Sequence, residues 1–354
     1  MVTLQAAQAQ MGAMHNSAVA EGLVPASFGN DGAAIAAARD SVAIVDRSHW
    51  NLLRLTGDDR LNFLHNQSTA DIKALQPGNG TNTVLVTATA RTIDLATVAA
   101  TEATLELVVS PGMGLELYRW LDRYIFPADR VKLANISSDY AILSLVGPQS
   151  AACLAKIGLD PGNLEPFAHR SAILPGAIDL VVRVQQGSGL ALPGYTLWVA
   201  RDRAGELWEA IARAGAVPLG EVAWEQLRIE QGRPKPGYEL TEDYNPLEAC
   251  LWSAISLNKG CYIGQEAIAR LDTYKGVKLN LWGFSLATVV DCPVPICVGD
   301  DKVGTLTSCV ATESGAIGLG YLRTKVGGAG LSVTIEGQST EAIDLPFATR
   351  DRIQ

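Results

Sequence analysis

Lys259-Gly260-Cys261-Tyr262-Ile263-Gly264-Gln265-Glu266 is the stretch from which the rest of the chain is best read. Its two glycines permit unusual backbone angles and close approach of neighbouring chain. A helical run follows from Gln265 to Leu271, which places Cys261 just before a helix N-terminus. A helix N-terminus and a nearby ammonium both favour a thiolate, and Lys259 is the ammonium within sequence reach. Between 259 and 278, Lys259, Arg270, Lys275 and Lys278 stand against Glu266 and Asp272. That local excess of positive charge suits an anionic ligand or partner. The stretch also reads as a glycine turn with an incidental cysteine, and the residue types alone leave both readings open.

The surroundings set this stretch apart. The chain has 354 residues, 28 Lys and Arg against 37 Asp and Glu, and a formal net charge of −9. An acidic globular composition of this length implies more than one domain and gives no global drive toward nucleic acid or an anionic membrane. The first Lys or Arg is Arg39, so the start does not read as a signal or transit peptide. No apolar run approaches the roughly 18 residues of a membrane helix, and a cytoplasmic location is expected. The six cysteines, Cys153, Cys250, Cys261, Cys292, Cys297 and Cys309, contain no C-x-x-C and have no histidine at zinc-finger spacing. No metal site is expected from them. P-loop, dinucleotide-fingerprint and hydrolase-elbow motifs are absent. The four histidines are scattered; His49 beside Trp50 and His65 on a helix could each be site residues.

Residues 1–30, rich in Ala, Gln, Gly and Ser, read as a loose N-terminal arm. Residues 31–277 mix strands and helices without a regular βαβ beat: strands near 51–56, 83–89, 93–99, 103–109, 140–146, 179–185 and 195–200, and helices near 204–214 and 218–231. That is an α+β body. From 278 to 354 short strands separated by Gly, Pro and Asp read as a small all-β domain.

The eight-residue stretch resembles the K-G-C-[FY]-x-G-Q-E signature of the YgfZ-type folate-binding proteins, relatives of the glycine-cleavage T-protein, a tetrahydrofolate-dependent aminomethyltransferase. Further stretches carry the resemblance across roughly 40–350. Trp50-Asn-Leu-Leu-Arg-Leu-Thr-Gly57, Phe63-Leu-His-Asn-Gln-Ser-Thr69 and Asp71 resemble the family's N-terminal strand–helix unit. Trp224-Glu-Gln-Leu-Arg-Ile-Glu-Gln-Gly232 resembles its R-x-E-x-G helix, and Asn245-Pro-Leu-Glu248 the approach to the signature. Val303–308 and 318–321 resemble the C-terminal barrel. The pattern around Asp94 and at 122–126 is most similar to a cyanobacterial and plastid branch.

The resemblance implies a T-protein-like folate-binding body of interleaved subdomains plus a small C-terminal β-barrel. It implies tetrahydrofolate or another folate as cofactor, with Trp50, Trp224, Arg228 and Tyr262 holding it. A flat pterin stacks well on aromatic faces, and Arg228 or the Lys259 patch could pair the glutamate tail. Cys261, with Lys259 and Gln265, would carry the chemistry. The implied role is accessory: assembly or repair of iron–sulfur clusters in client enzymes, without direct nucleic-acid or membrane binding. Aminomethyl transfer is the first alternative. The T-protein has an Asp on a strand entering its folate site where ungapped matching places Leu95, with Asp94 one residue early. It also has a Glu in a Gly-rich turn that corresponds to 187–195 here, where no acid occurs. A non-catalytic folate-binding module that affects tRNA modification indirectly is the second alternative.

Overall fold

The computed structural model describes residues 2–351. The elements run α1 (Leu4–Ala9), α2 (Asp31–Asp40), β1 (Ala43–Asp46), β2 (Asn51–Thr56), α3 (Arg60–Gln67), β3 (Gly80–Val86), β4 (Thr92–Ala100), β5 (Thr104–Val109) and α4 (Met113–Asp122). Then come β6 (Lys132–Asn135), β7 (Tyr140–Val146), α5 (Ser150–Lys156), β8 (His169–Ile173), β9 (Val181–Gln186), β10 (Gly194–Ala200), α6 (Ala204–Arg213), β11 (Val217–Leu219), α7 (Glu221–Gln231) and α8 (Gln265–Thr273). Six strands follow: β12 (Leu279–Leu286), β13 (Val294–Val298), β14 (Asp301–Thr312), β15 (Gly315–Arg323), β16 (Ser332–Ile335) and β17 (Gln338–Ile343). The chain divides into two compact units, one of 2–61, 74–81 and 97–224, the other of 62–73, 82–96 and 225–351. The barrel strands therefore group with three earlier pieces of chain. Among the described residues no helix is long and apolar enough to cross a membrane.

The first unit holds a six-stranded sheet of order β11-β1-β7-β10-β9-β8. Its core gathers Ile44, Leu143, Leu145, Val182, Val184, Leu197 and Val199 against α6. Ala204, Leu207, Trp208 and Ile211 of α6 recur at the i, i+3, i+4, i+7 spacing that turns one helix face to a sheet, and all four are fully buried. The expected loose arm is corrected here: Leu4, Ala7 and Phe28 belong to this core, and Phe28 stacks on Trp208 with ring centroids 5.9 Å apart. The helix expected from 218 begins instead as β11, parallel to β1 with Pro218 opposite Ile44. An edge strand tolerates that proline because it needs no donor on its open side. In the same unit β2 pairs antiparallel with β5 on one side and β6 on the other, and residues 97–100 pair with 105–108 of β5.

In the second unit β12-β15-β14-β13-β16-β17 close into a barrel, with Gly283 and Phe284 of β12 paired to Ile343 and Ala342 of β17. The period-two alternation of strands sorts its side chains. Trp282, Phe284 and Leu286 join Ile296, Leu306, Leu322 and Ile335 in the barrel core. Leu281 turns the other way and packs with Ile229 of α7, Cys250, Leu319 and Tyr321.

Candidate functional site

The signature stretch is built onto the end of α3. A helix leaves its last four carbonyls without intrahelical partners. Here three of them are met from outside the helix ladder. Ser68 Oγ donates to Leu64 O at 2.9 Å, Lys259 Nζ donates to His65 O at 2.6 Å, and Ile263 N donates to Asn66 O at 3.0 Å. Lys259 Nζ also donates to Ser68 O and Ala70 O, each at 2.6 Å, and lies 4.5 Å from the centre of the Tyr262 ring. Burial pushes this ammonium down to about 7, with Asp71 opposing and Lys73 adding to the shift. Three acceptors around one nitrogen need all three N–H of the charged form, so the geometry is that of the protonated amine. This corrects the role expected of Lys259. Its donors cap a helix and hold the 68–70 turn.

Between those anchors the side chains separate by burial. Cys261 is exposed. Tyr262 is buried with Ala90, Leu247, Trp252 and Ile268; its hydroxyl has no hydrogen-bond partner, and burial raises it to about 12. Gly264 caps α8 at φ 81°, and a Cβ there would meet Thr87 O at 2.8 Å and Val86 Cγ2 at 3.0 Å. Only glycine combines that left-handed angle with that close approach. Gln265, half-buried, is the first residue of α8. On the same unit, Arg91, Arg270 and Lys278 line a cleft of about 470 Å³ with Glu248 and Glu266. The positive stretch expected over 259–278 is thus divided: Lys259 faces inward, and Arg270 and Lys278 face this cleft.

Arg228 is also reassigned. It is 3% exposed, and its five donors all have internal acceptors: Glu225 twice, Glu239, Arg233 O and Ser308 Oγ. No N–H remains for a ligand carboxylate. On β4, Leu95 packs with Val84, Val86, Leu240 and Leu251. Asp94, its neighbour and equally buried, sits in the field of Arg233, whose guanidinium burial lowers to about 10.

Trp50 and Trp224 fall in the first unit, and there they come together around a residue that the sequence reading passed over. The Arg47 guanidinium lies 3.8 Å from the Trp50 ring centre and 4.9 Å from that of Trp224. Arg47 Nη1 donates to Ser144 Oγ at 3.1 Å and to Ser188 O at 3.2 Å. A Cβ on Gly189 would stand 2.4 Å from the same nitrogen, so the glycine-rich turn closes directly on the arginine. His49 Nε2 is 3.6 Å from Glu221 Oε1, while His49 Nδ1 and Glu221 Oε2 are buried without partners. Both tryptophans are buried, at 6% and 2% exposure. Arg47 and Glu221 stand three residues before Trp50 and Trp224; that spacing was the available signal.

Burial lowers the histidines His65 and His169, the first also through Lys259 and against Asp71, the second against its Ala100 carbonyl contact. Below about 6.5 an unfolded chain takes up protons that these folded imidazoles refuse, so their contribution to stability is present above 6.5 and lost on acidification. Urea midpoints at pH 7.5 and 5.5 are expected to fall with acid, and less so in His65→Gln/His169→Gln. An equal fall in both proteins would remove the histidines as the cause.

The model of the GCVT N-terminal domain family matches residues 3–259. A putative chloroplastic transferase of Arabidopsis thaliana is 40% identical over 336 residues, which cover 94% of this chain and 77% of the relative. An aminomethyltransferase of Halothermothrix orenii is 28% identical, with 88% of this chain and 89% of the relative covered. The crystal structure of the glycine cleavage system aminomethyltransferase T of Bartonella henselae superposes with a TM-score of 0.83 at 21% identity, covering 98% of this chain and 97% of that one. That likeness establishes the fold, an α+β T-protein-like body with a closed C-terminal barrel. With more than half of the chain matched by the family model, this protein belongs to the GCVT N-terminal domain family.

Proposed function

We propose that the protein is a YgfZ-type member of this family, which binds a folate and lends the Cys261 thiol to the assembly or repair of iron–sulfur clusters in client enzymes. One observation carries the reading: Cys261 is exposed on a loop whose flanking residues are pinned by four hydrogen bonds to 65–70. A thiol presented at a fixed position, without a surrounding cysteine set, suits transient transfer better than permanent cluster ligation. The Trp50–Arg47–Trp224 group supports folate binding, since a pterin carries both a flat ring and hydrogen-bonding edges.

Cys261→Ala is expected to retain the parent melting temperature and to lose all complementation of a strain lacking the family member. Full rescue by the variant would overturn the thiol role. Calorimetric titration with tetrahydrofolate is expected to show binding that weakens at least about tenfold, or 1.4 kcal/mol, in Arg47→Met. Unchanged affinity would place the folate elsewhere. Formation of methylene-tetrahydrofolate from an aminomethylated lipoyl carrier would instead favour aminomethyl transfer, the reaction named for several relatives.

A further inference from the structure

The cleft beside α8 is the feature of the second unit that the proposed function leaves unused. Three pieces of chain build it: the turn between β3 and β4, residues 245–248, and α8 with the residues after it up to Lys278. The turn is fixed by its own bonds, Ala90 N to Thr87 O at 2.8 Å and Arg91 N to Thr87 Oγ1 at 3.1 Å. Arg91 Nη1 donates to Asp243 O at 2.9 Å, and the side chain lines the cleft. On α8, Glu266 and Arg270 are four residues apart and so share a face. Among the described residues none of Arg91, Arg270 and Lys278 forms an ion pair, and Arg270 and Lys278 are exposed. Glu248 is the opposite case. It is 6% exposed, its Oε2 accepts from Asn245 N at 3.2 Å, and burial raises it against that amide and the fields of Arg91 and Lys278. The buried carboxyl thus belongs to the floor of the cleft and the exposed cations to its rim.

We propose that this rim docks an acidic segment on the surface of a client protein. A cationic rim over a carboxyl floor fits that occupant better than a small anion, which would fill the cleft of about 470 Å³ and meet Glu248 at its base. Carboxylates carried on a protein surface lie across the rim instead, where Arg91, Arg270 and Lys278 outnumber Glu266. A second copy of this chain does not fit, since a two-fold contact through this face would set the cations against themselves. The cleft is also placed for the thiol. Gly264, three residues after Cys261, packs on the same turn: a Cβ there would meet Thr87 O at 2.8 Å and Ala90 Cα at 3.1 Å. A client held on the rim therefore sits at the root of the Cys261 loop. The net charge of −9 repels an acidic partner at long range, and the rim reverses the sign locally, so docking selects this face. The idea rests on Cys261 serving protein clients, yet its first test needs neither the thiol nor a client.

The experiment is fluorescence anisotropy of a labelled hexaglutamate peptide, titrated with the full chain at about 50 and 200 mM salt. Arg270→Gln/Lys278→Gln is expected to bind about tenfold more weakly than the parent at the lower salt and to lose most of the salt dependence. Lys302→Gln/Lys325→Gln removes two exposed lysines elsewhere on the second unit and is expected to match the parent. Equal binding by all three proteins, or none by the parent, would overturn the proposal. So would saturable binding of inorganic phosphate through Arg270 and Lys278 without binding of the peptide, or tighter binding of a labelled oligonucleotide through the same two residues. In cells, Arg270→Glu/Lys278→Glu is expected to keep the parent melting temperature and to lose complementation, and full rescue by it would overturn docking of clients here. Weakened peptide binding in Arg270→Gln/Lys278→Gln together with full rescue by Cys261→Ala would retain the docking surface and reject the thiol; the reverse pattern would do the opposite.

Discussion

Lys259→Met is expected to lower the stability of the protein by about 3–5 kcal/mol and to loosen the 259–263 loop. Methionine keeps the stem and its apolar packing, so the change isolates the ammonium. Three carbonyls, those of His65, Ser68 and Ala70, lose a charge-assisted donor held at 2.6 Å. An acceptor left buried without a partner costs about 1–3 kcal/mol, and water entering the site recovers part of the sum. Lys259→Arg is expected to recover only a fraction. A guanidinium spreads its donors over a planar fork and cannot aim three N–H from one atom at three converging oxygens. Urea unfolding gives the magnitude, and limited proteolysis within 259–263 reports the loop. A loss under about 1 kcal/mol with an intact loop would show that the clamp is not what positions Cys261.

The same residue marks where sequence reading reaches its limit. The stretch around Cys261 is legible because eight ordered residues specify a turn, a cap and a helix within themselves. The small all-β domain is legible because its short strands are separated by Gly, Pro and Asp, whereas its closure, Gly283 and Phe284 of β12 against β17, is a long-range pairing. Helix α6 is legible locally, through its 204, 207, 208 and 211 face. What Lys259 does is not local. Its partners lie 189 to 194 residues away, and nothing in the spacing around a lysine says that it will cap a distant helix. The arm at 1–30 hides in the same way: alanines and glutamines carry weak periodicity, and what orders them is Trp208, supplied by another part of the chain. The resemblance assigns Arg228 to the glutamate tail of a folate, and only the fold reveals that five acceptors already surround its guanidinium.

Those acceptors lead to the second large effect. Glu239→Ala is expected to cost about 3–5 kcal/mol, because it breaks a buried ion pair by removing one partner only. Glu239 has no exposed surface. Its Oε2 accepts from Arg228 Nη1 at 3.0 Å and from the Lys235 amide at 3.2 Å. Its Oε1 accepts from Thr307 Oγ1 at 2.7 Å and Ser308 Oγ at 2.6 Å, both on β14. Its backbone carbonyl accepts from the Tyr321 hydroxyl of β15 at 2.7 Å. One carboxylate therefore ties α7, the 233–240 turn and two barrel strands of the second unit. Burial lowers the Arg228 guanidinium, and Glu239 together with Glu225 more than offsets it and holds the group well above the usual arginine range. A guanidinium is too basic to shed its charge when one partner goes. Thr307 has recourse, since it also donates to Leu319 O, but the guanidinium keeps only neutral acceptors, Arg233 O and Ser308 Oγ, beside the one remaining carboxylate of Glu225. Arg228→Met/Glu239→Met is then expected to cost less than Glu239→Ala alone, because an apolar pair of similar volume leaves no unpaired buried charge. Chemical denaturation of the single and double variants closes the cycle, with tetrahydrofolate affinity measured on each folded protein. Affinity lost in Arg228→Met/Glu239→Met at full stability would return Arg228 to the ligand site; affinity unchanged would fix it as the centre of a structural network.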